Sequence, residues 1–266
     1  MSDRASDNWA RGDSYERYVG RWSRRVAPLF LDWLESRPGA DWADVGCGTG
    51  ALSAAILDRC QPSSVAGIEP SAGFLTTAQQ NIAGRATLQQ GSATAIPLAD
   101  ASVDYTVSGL VLNFVADQPA AIAEMSRITR PAGCIAAYVW DYSGKMELMQ
   151  HFWDAAVALD ANASPMAEKH RFPNCRPEPL RALFRNGGLD DVQVSPLDVD
   201  MHFTSFDDYW EPFLGGAGPA PVYVSNLDER SRSTLRERLR ERLPIQADGS
   251  ITLSARAWAV RGTVSR

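Results

Sequence analysis

The chain has 266 residues, 45% of them hydrophobic and 22% charged, and its formal net charge at pH 7 is −6. This composition can fill a core and suits a globular protein of one or two domains. The acidic balance argues against nucleic acid as the main partner, because a duplex binder normally presents a basic surface.

The termini and the cysteines give further limits. The N-terminal stretch MSDRASDNWARGD is too polar for a signal peptide, and no apolar run reaches membrane-spanning length. We therefore expect a cytoplasmic protein without a membrane span. The four cysteines, Cys47, Cys60, Cys134 and Cys175, form no C-x-x-C pair, and only three histidines accompany them. Neither a disulfide framework nor a metal site is indicated.

The first predicted element is helical. Apolar residues recur every three to four positions between residues 14 and 36, including Tyr18, Trp22, Val26 and Phe30, which predicts an amphipathic helical region. Pro28 is expected to split the region into two helices. The region either covers a sheet or forms a lid over a ligand.

The stretch DWADVGCGTG, residues 41–50, predicts a strand, a glycine turn and the start of a helix. Gly46, Gly48 and Gly50 stand where the backbone must turn sharply and approach a ligand without a Cβ in the way. The helix from Ala51 to Cys60 then directs its free backbone N–H groups towards whatever lies over the glycines.

A second short apolar run, residues 65–68, ends in Glu69. A carboxylate at the tip of a neighbouring parallel strand can accept both hydrogen bonds of a ribose diol. The glycine turn and this acid together predict a nucleoside-containing cofactor. The glycine string alone is ambiguous, since Gly46, Gly48 and Ala51 also satisfy the dinucleotide pattern G-x-G-x-x-[GA].

Strands and helices then alternate. The patterns predict a helix over residues 71–82, a strand ATLQQG, a strand within 101–112, a helix opened by Pro119, a turn at RPAG and the strand CIAAYVW.

Four motifs carry a family resemblance. They are D-x-G-x-G-x-G at residues 44–50, GIEP at residues 67–70, GSATAIPLADASVDYTVSGLVLNFVAD and EMSRITRPAGCIAAYVWD. Together they resemble class I S-adenosylmethionine (SAM) methyltransferases, especially the ubiquinone/menaquinone C-methyltransferase-like subfamily. The resemblance implies an α/β fold with a Rossmann-like seven-stranded, mostly parallel sheet, an antiparallel last strand and helices on both faces. It implies helical lid insertions after strand 5 and between strands 6 and 7.

The resemblance also implies a cofactor, SAM, and a set of residues that bind it. Ser92 is a departure, because the family often has Asp there to meet the adenine amine, but a hydroxyl can still accept that bond. Leu110 is expected beside the methionine moiety, and Tyr18 or Arg21 in the lid could reach its carboxylate. Asn113 matches an asparagine of the quinone-type relatives, or else caps a helix or loop. The expected cofactor-binding residues are Tyr18, Gly46, Cys47, Gly48, Gly50, Glu69, Pro70, Ser92, Ala93 and Leu110.

The rest of the chain is expected to determine the substrate. The apolar helix from Met146 to Leu159 is expected to roof the substrate pocket, and an aromatic helix followed by a Gly/Pro loop lies within residues 203–226. Pro196 is expected to interrupt strand six, which suggests an edge strand or a bulge there, and alternating apolar residues from Ile251 predict the last strand. We expect one methyltransferase domain over residues 1–266, with an N-terminal lid at 1–40 and substrate-side insertions at 142–178 and 203–245.

The predicted reaction is methyl transfer from SAM to O, C or N of a small, apolar or aromatic metabolite. Alignment of the reacting atoms can suffice for such a reaction, so a general base is optional. The candidates for a base are Asp141 and Tyr142, just past the fifth strand, and His151 on the apolar helix. Two alternatives stay open: an NAD(P)-binding oxidoreductase, and a catalytically silent protein that binds SAM.

Overall fold

A computed structural model describes residues 16–215 and 218–265. Its strands are β1 (Asp41–Val45), β2 (Ser64–Glu69), β3 (Thr87–Gln90), β4 (Val103–Gly109), β5 (Thr129–Trp140), β6 (Leu189–Phe203) and β7 (Ile251–Val264). Its α-helices are α1 (Arg21–Leu34), α2 (Ala51–Arg59), α3 (Ala72–Ile82), α4 (Gln118–Ile128), α5 (Glu147–Leu159), α6 (Glu168–Arg171), α7 (Pro177–Asn186), α8 (Phe206–Trp210), α9 (Pro219–Ser225) and α10 (Glu229–Arg242). The expected lid falls outside the described residues over positions 1–15.

The seven strands form one sheet in the order β3-β2-β1-β4-β5-β7-β6. The pairs β1–β2, β2–β3, β1–β4 and β4–β5 are parallel, whereas β7 runs antiparallel to β5 with Trp140 opposite Ala257. Parallel pairing brings the carboxyl ends of β1 to β4 to one edge, which is where open α/β sheets bind ligands. The predicted fold class, with helical insertions after strand 5 and between strands 6 and 7, is confirmed.

The chain divides into two compact units. Within the described residues, the sheet unit comprises residues 23–140, 174–197 and 257–265, and the insertion unit comprises residues 16–22, 141–173, 198–215 and 218–256. The two substrate-side insertions expected from the sequence fall mostly in the insertion unit. Their role at a substrate, and the extent of a single domain, stay predictions.

The sheet unit is built around an apolar central sheet. In β1, four of the five residues are buried, and the last six residues of β5 are buried as well. Strands covered on both faces read as continuous apolar runs, which explains CIAAYVW in β5, whereas β1 also buries the acid Asp44. The sheet therefore forms the buried centre of this unit.

The insertion unit has its own aromatic core. The rings of Phe152 and Phe213 stack at 4.5 Å, and Trp153 and Tyr223 pack against Phe152. The Tyr209 hydroxyl donates to the carbonyl oxygen of Leu148 at 3.0 Å. The apolar helix α5 thus packs into this unit's interior, and its role as a roof stays a prediction.

Four local predictions were wrong in whole or in part. Helix α1 runs through Pro28 without splitting. The RPAG segment belongs to β5, where Ala132 has a φ of 64° and the pairing with β4 shifts register. Helix α9 forms where a Gly/Pro loop was expected. Strand β6 continues past Pro196 without an interruption, but it lies at the edge of the sheet, one of the two positions that the proline suggested.

Within the described residues, no helix is both long and apolar enough to cross a bilayer.

Candidate functional site

The glycine turn connects β1 to α2 in the sheet unit. Gly46, Gly48 and Gly50 all have left-handed backbones, with φ values of 76°, 54° and 87°. The N–H groups of Gly46 and Cys47 both donate to the carbonyl oxygen of Ile68, at 2.7 and 3.1 Å. These bonds fasten the turn to the end of β2.

The three glycines have different steric surroundings. A Cβ on Gly46 would lie 2.5 Å from Val111 Cγ1, and one on Gly50 would lie 2.8 Å from Ile82 Cδ1. A Cβ on Gly48 would meet no atom within 4 Å. Packing within the protein excludes a side chain at Gly46 and Gly50, whereas Gly48 faces open space that a ligand can enter.

Glu69 joins the end of β2 to this turn. Its Oε2 accepts a hydrogen bond from the Gly48 N–H at 3.1 Å, and its Oε1 accepts from the Ser71 N–H at 3.0 Å. The side chain is buried, and burial raises the pKa of this carboxyl group, although the two backbone bonds act in the opposite direction. Each oxygen keeps a further lone pair for a ligand donor.

Asp44 lies beneath the turn and is fully buried. Its Oδ2 accepts from the Ser53 hydroxyl at 2.6 Å, while Oδ1 has no hydrogen-bond partner among the residues described. Burial raises the pKa of Asp44 to about 7, and the charge of Glu69 adds to the effect. The sequence supplied Asp44 as the motif's acid but gave no sign that it titrates near neutrality.

The other predicted cofactor residues of the sheet unit follow β2, β3 and β4. The carbonyl oxygen of Pro70 accepts from Gln90 Nε2 at 2.9 Å. The hydroxyl oxygens of Ser92 and Thr94 lie 3.0 Å apart, and the Ser92 hydroxyl also accepts a hydrogen bond from the Thr94 N–H at 3.2 Å. Ala93 lies between these two residues in the chain. Leu110 adopts a left-handed backbone with a φ of 62° directly after β4.

These positions share one edge of the sheet. Parallel pairing places the ends of β1, β2 and β3 side by side, with Glu69 in register with Gln90. The pairing of β1 with β4 brings Leu110 to the same edge. The structure therefore groups the nine predicted cofactor residues of this unit, and their contact with a cofactor stays a prediction.

The remaining four predicted site residues belong to the insertion unit. Tyr18 is buried, its ring lies edge-on to Phe213 at 5.4 Å, and its hydroxyl has no hydrogen-bond partner within the described chain. Burial holds the pKa of Tyr18 well above its usual value, and the neighbouring charge of Glu168 acts in the same direction. Tyr18 thus stays protonated as a hydrogen-bond donor at neutral pH.

The three candidate bases do not form one group. The Asp141 carboxylate accepts from the Gly144 N–H at 2.8 Å and so closes a turn. Tyr142 packs its ring 5.5 Å from that of Phe172. His151 is half-buried on α5, and burial lowers its pKa, so it is neutral at pH 7.

A small cavity of about 10 Å³ lies inside the insertion unit, with room for about one water molecule. Its lining includes Tyr142, Trp153 and Glu168 but neither Asp141 nor His151. Among the residues described, no group of three or more His, Cys, Asp or Glu side chains could hold a metal ion.

Comparison with known proteins agrees with this geometry. Residues 43–137 match a family described as a methyltransferase domain. A malonyl-[acyl-carrier protein] O-methyltransferase of Serratia marcescens is 38% identical over 112 residues, which cover 42% of this chain and 43% of that protein. A demethylmenaquinone methyltransferase of Geobacillus stearothermophilus is 28% identical over 200 residues, which cover 69% of this chain and 82% of that protein.

Among solved structures, a putative methyltransferase from an antibiotic biosynthesis pathway of Anabaena variabilis superposes with a TM-score of 0.63. It is 19% identical, and the match covers 88% of this chain and 96% of that one. At this identity the likeness concerns the fold alone.

The sheet order, together with the glycine turn and Glu69 at one edge of the sheet, is the architecture of class I methyltransferases. Residues 43–137 match a methyltransferase domain, and the recognition of methyltransferase motifs in the sequence is confirmed. It spans about half the length of the malonyl-[acyl-carrier protein] O-methyltransferases that it matches.

Proposed function

We propose that this chain is a SAM-dependent methyltransferase acting on O, C or N of a small, apolar or aromatic metabolite. The observation that carries the proposal is the arrangement of Gly48 and Glu69 inside the methyltransferase domain: an open glycine whose N–H is held by a buried carboxylate. A cytoplasmic location remains part of the proposal.

The sheet edge fits an adenosyl group. Gly48 leaves room for close approach of a ligand to the backbone, and the free lone pairs of Glu69 suit two ribose hydroxyls. The Ser92 hydroxyl and the Ala93 N–H would meet the adenine, and Leu110 would lie beside the methionine chain. The unpartnered Oδ1 of Asp44 gives the cationic end of the cofactor a nearby acceptor.

The cofactor supplies the methyl group on a positively charged sulfur. This chain's residues hold the adenosyl group in one orientation, so that the acceptor meets the methyl carbon in line, and they exclude water from it. Where the acceptor must lose a proton, we propose that the imidazole of His151 accepts it. Burial lowers the pKa of His151, so its ring is unprotonated at neutral pH and can take up a proton. Asp141 and Tyr142 would orient the acceptor.

Two groups of relatives support a small or carrier-bound acceptor. They are named as malonyl-[acyl-carrier protein] O-methyltransferases and as demethylmenaquinone methyltransferases. The first name specifies O-methylation of a malonyl group on a carrier protein, and the second specifies a demethylmenaquinone, so these names favour an oxygen acceptor or a quinone.

Calorimetry with S-adenosylhomocysteine tests the proposal. We expect the wild-type protein to bind it, Glu69→Gln to bind at least tenfold more weakly, and Gly48→Ala to lose a similar factor. Gly39→Ala is the matched control, because Gly39 also has a left-handed φ, of 72°, and open space around its Cβ position. Both alanine variants place a side chain on a left-handed residue with open space around its Cβ position, so a difference in affinity between them indicates a ligand close to Gly48.

The proposal fails if the wild-type protein does not bind S-adenosylhomocysteine, or if Gly48→Ala and Gly39→Ala bind it equally well. Titration with NAD(P)H in parallel tests the dinucleotide alternative: nicotinamide binding without S-adenosylhomocysteine binding would identify an oxidoreductase.

A further inference from the structure

Asn113 has an unusual environment in the sheet unit. It lies in the short 3-10 turn Leu112–Phe114, three residues after the strained Leu110. Both polar atoms of its side chain, Oδ1 and Nδ2, are buried, and neither has a hydrogen-bond partner in the described part of the chain. Proteins rarely bury an amide with both ends unsatisfied, because its hydration is lost without replacement.

The amide has no capping role, since the nearby backbone groups are served by others. The Phe114 N–H donates to the carbonyl oxygen of Val111 at 2.8 Å, and Gln118 Nε2 donates to that of Leu112 at 2.8 Å. Helix α4 is capped by Asp117, whose Oδ1 accepts from the Ala120 N–H at 3.0 Å. The expectation that Asn113 caps a helix or loop is therefore not supported by these contacts.

The turn packs on the glycine motif. Val111 Cγ1 lies 2.5 Å from the position that a Cβ on Gly46 would occupy, so the side chain of Val111 fills the space that this glycine leaves. Leu110 holds a left-handed φ of 62°, which is costly for a leucine and is found mostly where function constrains the backbone. Asn113 thus stands two residues from a direct contact with the predicted cofactor site.

We propose that Asn113 is a ligand-contacting residue of the methyl-transfer site, whose amide pairs with a ligand group that presents a hydrogen-bond donor and acceptor side by side. This inference rests on the proposed function. Two sources have that chemistry: the amino-acid end of the cofactor, and an acceptor with adjacent hydroxyl and carbonyl groups. The ligand supplies the two hydrogen bonds that the fold lacks.

Thermal unfolding of the ligand-free protein gives the first test. Asn113→Leu keeps the approximate size and removes both unsatisfied atoms, so we expect its melting temperature to equal or exceed that of the wild type. Asn81→Leu is the matched control, because Asn81 Nδ2 donates to the carbonyl oxygen of Thr49 at 2.9 Å and its loss should lower the melting temperature. A fall of several degrees in Asn113→Leu would show a structural role and overturn the inference.

Binding measurements identify the source. If the amide meets the amino-acid end, Asn113→Leu should bind S-adenosylhomocysteine at least fivefold more weakly than wild type but bind 5′-methylthioadenosine, which lacks that end, equally. If it meets the acceptor, both nucleosides bind equally, and protein loaded with S-adenosylhomocysteine loses binding of 2-hydroxy-1,4-naphthoquinone by a similar factor in the variant. The parent 1,4-naphthoquinone, without the hydroxyl group, is the control ligand.

The inference is overturned if wild type and Asn113→Leu bind S-adenosylhomocysteine and 2-hydroxy-1,4-naphthoquinone equally, or if the quinone binds to neither while the nucleosides bind equally. Failure of the proposed function has a different signature, since the wild-type protein itself would then not bind S-adenosylhomocysteine.

Discussion

The buried acid of the glycine motif makes the stability of this protein depend on pH in a defined direction. Asp44 is fully buried, and its pKa is raised from 3.8 to about 7, mainly by burial. The folded protein therefore favours the protonated carboxyl group, whereas the unfolded chain ionises it above pH 4. The free energy of unfolding that this group contributes is present in full below pH 4 and is lost as pH rises to 7.

The magnitude follows from the two pKa values. A difference of about three pH units corresponds to about 4 kcal/mol at 1.36 kcal/mol per unit, most of it between pH 4 and 7. Between pH 5 and pH 8 the unfolding free energy should fall by about 2.5 kcal/mol, because the part of the loss that occurs between pH 4 and pH 5 lies below this range. This fraction of the total stability of a typical domain is easily measured.

Urea unfolding of the wild type and of Asp44→Asn, at pH 5 and pH 8, measures this loss. The asparagine does not titrate, so the stability difference between the two proteins should change by about 2.5 kcal/mol between the two pH values. Ser53→Ala provides a second variant: the Ser53 hydroxyl bond lowers the pKa of Asp44, so its removal should move the loss to higher pH. Equal pH dependence in wild type and Asp44→Asn would refute the reasoning.

Two pairs of variants test packing and hydrogen bonding. Gly46→Ala adds a Cβ 2.5 Å from Val111 to a left-handed residue, so in urea unfolding it should cost about 1–3 kcal/mol more than Gly39→Ala, which has strain alone. Equal losses would contradict the steric argument. Tyr209→Phe removes a buried bond and should cost about 1–3 kcal/mol, whereas Tyr18→Phe removes a hydroxyl without a partner and should be neutral. A large loss at Tyr18 would reveal a partner for its hydroxyl.

Much of the sheet could be predicted from the sequence, because local and long-range signals agree there. The buried end of β5 is a continuous apolar run, the short strand β1 is mostly buried directly before the glycine turn, and buried residues alternate with more exposed ones along most of β7. The glycines with left-handed φ lie where the turn between β1 and α2 was expected. Each of these elements is determined by its own residues.

The wrong local predictions arose where tertiary packing outweighs local preference. Pro28 removes one hydrogen bond from α1, but Val26, Ala27, Phe30 and Leu31 around it are buried on one continuous face. Burial of this apolar face therefore keeps α1 continuous through Pro28. A rule based on proline alone cannot take the free energy of that burial into account.

Side-chain roles were harder to predict than backbone positions. The sequence D-x-x-G at Asp141 is typical of a turn. The hydrogen bond from the Gly144 N–H agrees with a structural role of Asp141 in that turn rather than with a role as a catalytic base. The raised pKa of Asp44 and the unsatisfied amide of Asn113 depend on burial by residues distant in sequence. No pattern within a short window contains that information.

The three glycines of the motif are required for different physical reasons. Gly46 and Gly50 are constrained by Val111 and Ile82, which belong to the protein, so a side chain at either position should damage folding before binding. Gly48 has no neighbour within 4 Å of its Cβ position, yet its N–H is held by Glu69. A side chain there should leave the fold with backbone strain alone and exclude the ligand. Separate effects on stability and on affinity within one three-glycine turn would therefore distinguish a built ligand site from a turn that is merely tight.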